Sequence, residues 1–340
     1  MRKRGETIRE FILQNVNEHQ SDISSIAAKK FGLTRQAIHH HIKRLESQND
    51  ISVSGTRSQP IYKLIPEYKK TYSYALDGSL EEDALWRADV FQYVNDLPEN
   101  VIEIWEYGFT EMVNNAIDHS HGQTLNICID RYKPYLEIFV SDDGVGIFKK
   151  ITEAMQLADE RHAVLELAKG KFTTDPDNHT GEGIFFSSRM FDAFGVSSGD
   201  VYYAHDYDDP SAWIAQTERP KQGTIVCMRI SNHCDRTLNS VFDEYAKPED
   251  YAFTKTLVPV ELAQYGDEKL VSRSQAKRML TRIDRFTEVI FDFENVDSIG
   301  QSFADEIFRV FANKHPEIEI SSINTNKRVQ KMISRALAER

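Results

Sequence analysis

The chain has 340 residues, of which 40% are hydrophobic and 28% charged, and its formal net charge is −12. A chain of this length predicts two or three domains, each able to bury a hydrophobic core. No apolar run approaches the roughly 20 residues of a membrane-spanning helix, so we expect no association with a membrane. Cys128, Cys227 and Cys234 form no metal-like pair, and the basic start Met1–Arg4 leads into a polar helix rather than a secretory signal. We therefore expect a reducing, cytoplasmic location.

The first part of the chain is basic, although the whole chain is acidic. Residues 1–64 contain eleven Lys and Arg against six Asp and Glu. A basic head on an acidic body is typical of a nucleic-acid tether. Apolar spacing predicts three helices, ending with Arg35–Ser47, and then a hairpin over Ile51–Leu64. Gly32 is expected to end the second helix and Thr34 to cap the third.

Three helices followed by a hairpin resemble the winged helix-turn-helix of bacterial regulators. In that fold the start of the third helix enters the major groove of double-stranded DNA. The resemblance implies a DNA-binding domain over residues 1–65, with these candidate contacts: Arg35, Gln36, His39, His40, Lys43 and Arg57. A small protein-docking domain remains the alternative. Metal binding by the three consecutive histidines is disfavoured, because adjacent residues point in different directions on a helix.

Residues 66–79, rich in Lys, Tyr and Ser, predict a linker, and Leu80–Asn95 predicts a helix. The helix after Pro98 has a core face at helical spacing: Phe109, Met112, Val113, Ala116 and Ile117. Glu111, Asn115 and Asp118 instead lie at i, i+4 and i+7, along one polar ridge. A Glu one turn before an Asn can hold a water beside a cation, since the carboxylate accepts a proton and the amide oxygen ligates a hard metal.

Two glycine-containing segments follow, VSDDGVGI over Val140–Ile147 and TGEGIFF over Thr180–Phe186. Taken singly, the polar ridge and these two segments are also explained as a solvated helix face, a tight turn and a helix start. In this order, and roughly 30 to 40 residues apart, they resemble the N box and the two glycine boxes of the GHKL nucleotide-binding fold. Gly223-Thr224 resembles the strand that closes the adenine pocket in that superfamily. The resemblance implies an ATP- and Mg²⁺-binding α/β sandwich over residues 80–250.

The resemblance also implies roles for single residues. Glu111 matches the general base that orients water, Asn115 the magnesium ligand, and Asp118 an acid behind them. Asp142 matches the acid that accepts a hydrogen bond from the adenine amino group. Backbone approach to the nucleotide is expected at the remaining positions: Gly144, Gly146, Gly181, Gly183 and Thr224.

The segment Lys169–Thr180 is predicted to be the lid over ATP, with Lys171 as the candidate γ-phosphate contact. A solvated loop lysine is the alternative for Lys171. Only the two glycines of the second box are plain, and the bulky pair Phe185-Phe186 follows them. Nucleotide binding is therefore predicted more firmly than turnover.

The tail, residues 251–340, alternates predicted strands and helices. The strands are Leu257–Leu262, Val289–Phe293 and Ile318–Ile323, and the helices are Ser272–Ile283, Ser302–Phe311 and Val329–Leu337. Its turn Asp292–Gly300 resembles the strand-to-helix turn of STAS domains, the anti-anti-sigma fold. Ile299 stands where the phosphorylated members carry serine, so we expect a docking or dimerising surface. Ser298 and Ser302 leave phosphorylation in this turn as the alternative.

The predicted fold class is therefore a multi-domain α/β and α+β protein with a winged helix, a GHKL sandwich and a small STAS-like α/β domain. The predicted function is an ATP-dependent transcriptional regulator that binds double-stranded DNA as a homodimer, with a protein partner at the STAS-like domain. The alternative is an anti-sigma-type serine kinase acting on its own tail or on a partner. In the kinase or in an ATPase, Glu111 is the predicted catalytic residue.

Overall fold

The structure, a computed structural model, describes residues 2–56, 58–173, 181–207, 213–246, 252–264 and 269–338. Within these ranges it has a mixed α/β architecture with three sheets of two, five and three strands. Among the described residues, none of the helices combines the length and the hydrophobicity that a membrane span requires.

Within the described residues, the N-terminal part of the chain, residues 2–64, consists of three helices and one hairpin, and we call it the head. Their bounds are α1 (Arg2–Asn15), α2 (Ile23–Phe31), α3 (Arg35–Ser47), β1 (Ile51–Thr56) and β2 (Gln59–Leu64). Gly32 ends α2 in the left-handed conformation with φ 62°, and the Thr34 hydroxyl accepts a hydrogen bond from the Ala37 amide at 3.2 Å. Both caps are therefore confirmed. The head has its own core, against which Tyr132 and Tyr135 of the central domain pack.

The linker predicted for residues 66–79 is wrong over most of its length. Tyr68–Ala75 forms strand β3, which pairs antiparallel with β4 (Thr124–Arg131) at the edge of the central sheet. Tyr72 and Tyr74 are half-buried and reach polar partners on the neighbouring helical segment. Lys69 is exposed, as is usual on an edge strand, and its ammonium lies 2.7 Å from the Asp130 carboxylate. The head is thus joined to the central domain by nearly continuous β structure.

The central sheet is antiparallel throughout, with the strand order β3-β4-β5-β7-β6. Its other strands are β5 (Tyr135–Asp142), β6 (Ala193–Asp206) and β7 (Trp213–Ser231). Buried residues alternate with half-exposed ones along β4 and β5, so one face of the sheet meets the helical layer.

The helical layer begins with the irregular run predicted as one helix over Leu80–Asn95. It forms α4 (Glu82–Leu85), a π-helical turn (Trp86–Val90) and a 3-10 turn (Phe91–Tyr93). The remaining helices of this layer are α5 (Glu99–His119), α6 (Ile147–Met155), α7 (Glu160–Lys169), α8 (Gly183–Met190) and α9 (Leu238–Tyr245).

The tail contains a parallel sheet in the order β10-β9-β8. Its strands are β8 (Lys255–Pro259), β9 (Glu288–Asp292) and β10 (Glu319–Ile323), and its helices are α10 (Arg273–Met279), α11 (Gln301–Asp305), a π-helical turn (Glu306–Phe311), α12 (Ala312–Lys314) and α13 (Lys327–Ala338). The predicted order of strands and helices is confirmed. The first strand ends earlier than predicted, because Pro259 lacks an amide donor and a 3-10 turn (Val260–Ala263) follows it.

Unlike the head, the tail shares one continuous hydrophobic core with the central domain. Tail residues such as Val258 and Phe286 belong to the same buried cluster as Leu165 and Phe185 of the central domain. The tail therefore docks firmly on the central helices, and α7 lies at that junction.

Candidate functional site

A cavity of about 270 Å³ lies between α5, the turn after β5 and the start of α8. It brings together segments that are far apart in the chain. The predicted nucleotide-binding residues in its wall are Glu111, Asn115, Asp142, Gly146, Gly181, Gly183 and Thr224. Three predicted residues, Asp118, Gly144 and Lys171, do not line it.

Asp142, the last residue of β5, is held by backbone amides at one side of the cavity. Its Oδ1 accepts hydrogen bonds from the amides of Gly144 at 2.9 Å and Thr224 at 3.3 Å. Burial raises the pKa of Asp142, whereas these two hydrogen bonds lower it. A carboxylate has about four lone-pair sites, so Asp142 retains capacity to accept a hydrogen bond from a ligand. Gly144, although outside the wall, thus orients Asp142 together with Thr224.

The turn between β5 and α6 requires glycine at Gly146. This residue has φ 93°, and a Cβ atom there would lie 2.5 Å from the Ser198 hydroxyl. Next to it, the Thr224 hydroxyl accepts a hydrogen bond from the Ile147 amide at 3.0 Å. The glycine-threonine strand is therefore tied directly to the start of α6, beside Asp142.

The polar ridge of α5 forms the opposite wall. Phe109, Met112 and Val113 are buried as predicted, while Glu111 and Asn115 are half-buried and face the cavity. Asp118, one turn further on, is exposed. Two of the three residues on the predicted polar ridge therefore line the cavity.

Glu111 lies against the start of α8. A Cβ atom at Gly183 would overlap Glu111 Oε2 and would lie 2.7 Å from its Cδ. Burial raises the pKa of Tyr107, and the negative charges of Glu111 and Glu182 raise it further. The first turn of α8 and the Glu111 carboxylate thus share one side of the cavity.

This close approach predicts the effect of Gly183→Ala. Alanine in a helix is ordinarily favoured over glycine by about 1 kcal/mol. Here we expect a smaller gain in melting temperature and a loss of hydrolysis, because the added methyl group must displace the Glu111 carboxylate, the end of a flexible side chain. Thermal unfolding and an ATPase assay measure the two effects. The gain in melting temperature from Gly183→Ala is expected to be larger in the Glu111→Ala background than in wild type, and a Gly183→Ala protein with equal gains in both backgrounds and wild-type hydrolysis would contradict the packing.

Lys150, which was not among the predicted site residues, lies in the cavity wall and is half-buried. Its ammonium donates a hydrogen bond to the carbonyl of His119 at 2.9 Å. Burial lowers the pKa of Lys150, and the negative charge of Asp118 raises it. Because His119 follows Asn115 by one helical turn, this cation lies on the same wall as the candidate metal ligand. In the sequence, its position in the first turn of the helix after the first glycine box was the feature that could have indicated this role.

The prediction that Lys171 faces the phosphates is not confirmed. Its φ of 51° turns the side chain towards the tail, where the ammonium donates a hydrogen bond to the carbonyl of Arg285 at 3.0 Å. The ammonium also lies 4.9 Å from the centre of the Phe286 ring. Of the predicted lid, Phe172 and Thr173 do line the cavity, and residues 174–180 lie outside the described residues.

The predicted DNA contacts occupy a separate surface, on the solvent side of α3. The exposed residues are Arg35, Gln36, His39, His40 and Lys43. Arg57 lies outside the described residues. Ile38, Ile42 and Leu45 on the opposite side of α3 are buried in the core of the head.

Comparison with protein families agrees with this geometry. Residues 105–233 match the family described as histidine kinase-, DNA gyrase B- and HSP90-like ATPase. Residues 275–330 match a STAS-like domain of unknown function. No curated protein matches the chain. The chain therefore contains a GHKL-type ATPase domain and a STAS-like domain.

The residues of the cavity fit a magnesium-bound nucleoside triphosphate. Within the described ranges, no group of three or more His, Cys, Asp or Glu side chains could hold a metal ion. Magnesium often takes only one or two protein ligands and completes its shell with phosphate oxygens and water. Asn115 can supply such a ligand, and the amides at the start of α8 suit an anion.

Proposed function

We propose that the chain is an ATP-binding regulator, in which Mg²⁺-ATP in the central domain controls DNA binding by the head. One observation carries the proposed nucleotide binding: Asp142, Asn115 and Glu111 line the same cavity, beside the start of α8. The candidate purine reader, metal ligand and proton acceptor thus surround one space, which supports the binding of a nucleotide there.

Residues on two walls of the cavity contact different parts of the nucleotide. Asp142, held by its two amides, accepts a hydrogen bond from the adenine amino group. Asn115 would hold the magnesium ion, which would supply positive charge to neutralise the phosphates. The amides and the dipole at the start of α8 favour the phosphate charge, and Lys150 adds a cation on the side of Asn115.

Turnover is a separate part of the proposal. Glu111, which lines the cavity beside Gly183, acts in this proposal as the group that orients a water molecule and takes its proton. General-base action of this kind contributes roughly 10² to 10⁴ in rate. If binding alone switches the protein, Glu111→Ala is expected to lose hydrolysis and retain nucleotide-dependent DNA binding.

A direct structural route connects the cavity with the head. Strand β5 ends at Asp142 in the cavity and begins at Tyr135, whose hydroxyl accepts a hydrogen bond from Asn17 of the head at 2.8 Å. Beside it, the Lys133 ammonium lies 2.9 Å from the Asp50 carboxylate of the head. A nucleotide that binds one head arrangement more tightly than another shifts the balance between them. A shift from 1:99 to 99:1 needs about 5.5 kcal/mol of differential binding.

The DNA part predicts the behaviour of a variant with Arg35→Ala and Lys43→Ala. Both residues are exposed on α3, and a homodimer would present two such helices about 34 Å apart. With a mixed-sequence duplex of about 30 base pairs, roughly three helical turns, we expect at least about tenfold weaker binding. The slope of log affinity against log salt is expected to fall in magnitude by about 2. Fluorescence anisotropy over a salt series, with and without ATP, measures both.

The matched control is Lys327→Ala with Arg328→Ala, which removes the same charge from the exposed start of α13. This control is expected to bind the duplex as wild type does. If the α3 variant also binds as wild type does, the head is not the DNA surface, and a protein-docking role replaces the proposal.

A serine kinase of the anti-sigma type is the second candidate, because the STAS-like domain docks beside the cavity in the same chain. Ser302 is exposed at the start of α11, while Ile299 is only 6% exposed. Neither Ser298 nor Ser302 lines the cavity, so transfer to the tail requires a second chain or another arrangement. Transfer from labelled ATP to the wild-type tail, lost on Ser302→Ala or Ser298→Ala, would favour the kinase.

A further inference from the structure

Side chains of the STAS-like domain donate hydrogen bonds to a short backbone segment that forms part of the cavity wall. This piece, residues 169–173, begins at the end of α7 and is the described part of the predicted lid, and we call it the wall segment. Its last two residues, Phe172 and Thr173, line the cavity. The Phe172 amide donates a hydrogen bond to the carbonyl of Gly181 at 3.2 Å, which ties the wall segment to the second glycine box.

Arg282 of the tail makes the central contacts to this segment. Its guanidinium donates hydrogen bonds to the carbonyl of Gly170 at 3.2 Å and to that of Lys171. The same group lies 3.1 Å from the Glu166 carboxylate on α7 and 5.1 Å from the centre of the Phe172 ring. Arg282 thus joins α7, the wall segment and the tail through one rigid planar group.

Further tail residues hold the neighbouring atoms. The Thr256 hydroxyl donates to the carbonyl of Lys169 at 2.7 Å, and Arg285 donates to that of Lys171 at 2.9 Å. Three consecutive carbonyls, those of residues 169, 170 and 171, therefore all accept hydrogen bonds from tail side chains. Regular secondary structure does not require this arrangement, and it leaves the wall segment little freedom while the tail is docked.

The charges under the wall segment are buried and paired. Lys169 is 1% exposed, and its ammonium lies 2.6 Å from the Glu166 carboxylate. The same ammonium donates a hydrogen bond to the carbonyl of Thr281 in the tail at 2.9 Å. Removing one member of such a buried network leaves an uncompensated charge. The network therefore makes the position of the wall segment depend on the tail.

We propose that Arg282 is a positioning residue through which the STAS-like domain sets the nucleotide affinity of the ATPase domain. The inference rests on the proposed nucleotide binding and adds the tail as its regulator. With Arg282 in place, Phe172 and Thr173 stay in the cavity wall. By linkage, nucleotide binding strengthens the docking of the tail to the same degree that docking strengthens nucleotide binding. A partner that pulls Arg282 away would release the nucleotide.

The test is calorimetric titration of the full chain with a non-hydrolysable ATP analogue and Mg²⁺. We expect Arg282→Ala to raise the dissociation constant about tenfold or more, since it removes several charge-assisted hydrogen bonds. Arg285→Ala, which removes one contact to the same carbonyl, is expected to have a smaller effect in the same direction. The matched control is Arg309→Ala, which removes an arginine of the same domain whose guanidinium lies 3.5 Å from Asp305.

A second readout separates positioning from general loss of stability. Adding the analogue to wild type is expected to slow amide hydrogen exchange in residues 273–285 of the tail, and Arg282→Ala is expected to abolish this slowing. If Arg282→Ala does not fold, two other measurements test the inference. They are the dissociation constant of Arg285→Ala and the amide hydrogen exchange of wild type with and without the analogue. Dissociation constants within twofold of wild type for the folded variants, or no slowing of exchange in the tail, would overturn the inference. Failure of wild type to bind the analogue would instead overturn the proposed function.

Discussion

Asn115→Ala is expected to abolish magnesium-dependent nucleotide binding without unfolding the protein. The amide lies in the cavity wall and is half-buried, on a helix whose core face is fully packed. Changes to residues that only support a metal ligand typically cost 10- to 100-fold in affinity, so loss of the ligand itself is expected to cost on the order of 100-fold or more. Calorimetry with an ATP analogue, with Mg²⁺ and then with a chelator, measures the effect.

The neighbouring residue offers a matched control. Asn114 is the same residue type on the same helix, is also half-buried and does not line the cavity. Asn114→Ala is therefore expected to bind nucleotide nearly as wild type does. Equal effects of the two substitutions, or magnesium-dependent binding that survives Asn115→Ala, would show that the metal is held elsewhere.

Asp142→Asn is expected to weaken ATP binding about 10- to 100-fold and to narrow the preference for ATP over GTP. The Asn oxygen can still accept the amides of Gly144 and Thr224, which hold Oδ1 now. The new NH₂ group then replaces the oxygen that accepts the adenine amino group, so two donors meet. Loss of a hydrogen bond to a charged group costs about 1.5–3 kcal/mol. GTP presents the guanine carbonyl at this position, so its affinity is expected to fall less than that of ATP.

Asp143→Asn is the control for this substitution. Asp143 is exposed, and its Oδ1 accepts the amides of Gln123 at 2.7 Å and Thr124 at 2.9 Å, which an Asn oxygen can also do. Competition titrations with ATP and GTP should therefore leave the selectivity of this variant unchanged. An unaltered preference for ATP in Asp142→Asn would contradict the role of Asp142 as the purine reader.

The same residue predicts a dependence on pH. Burial raises the pKa of Asp142 above the ordinary value of 3.8, despite the opposing hydrogen bonds. As the pH falls through this raised pKa, the carboxyl gains a proton and loses an acceptor. ATP affinity is therefore expected to fall with it, and in Asp142→Asn this step is expected to be absent.

Local sequence patterns predicted several residues that line the cavity. The spacing of Glu111 and Asn115 on an apolar helix was enough to place both on one face, because helical geometry depends only on nearby residues. The glycines around Asp142 and Thr224 mark close backbone approach, which is likewise a local requirement. Family resemblance supplied the roles, and the cavity brings these residues together.

The missed features depend on tertiary contacts. Lys171 is turned away by its left-handed backbone and held by Arg285, more than a hundred residues later in the chain. The strand Tyr68–Ala75 is polar because it is an edge strand, and its pairing with β4 is not visible in its own sequence. Arg282 has an unremarkable sequence context, and only the docked tail shows what it holds.

The proposed function requires that one cavity bind an adenine nucleotide together with Mg²⁺. The most direct measurement is titration of the wild-type chain with a non-hydrolysable ATP analogue, with Mg²⁺ and then with a chelator. We expect one saturable site per chain that requires the metal and prefers adenine to guanine. No detectable binding in the presence of Mg²⁺ would contradict the proposed function. The same holds if Asn115→Ala and Asp142→Asn both bind the analogue as tightly as wild type does.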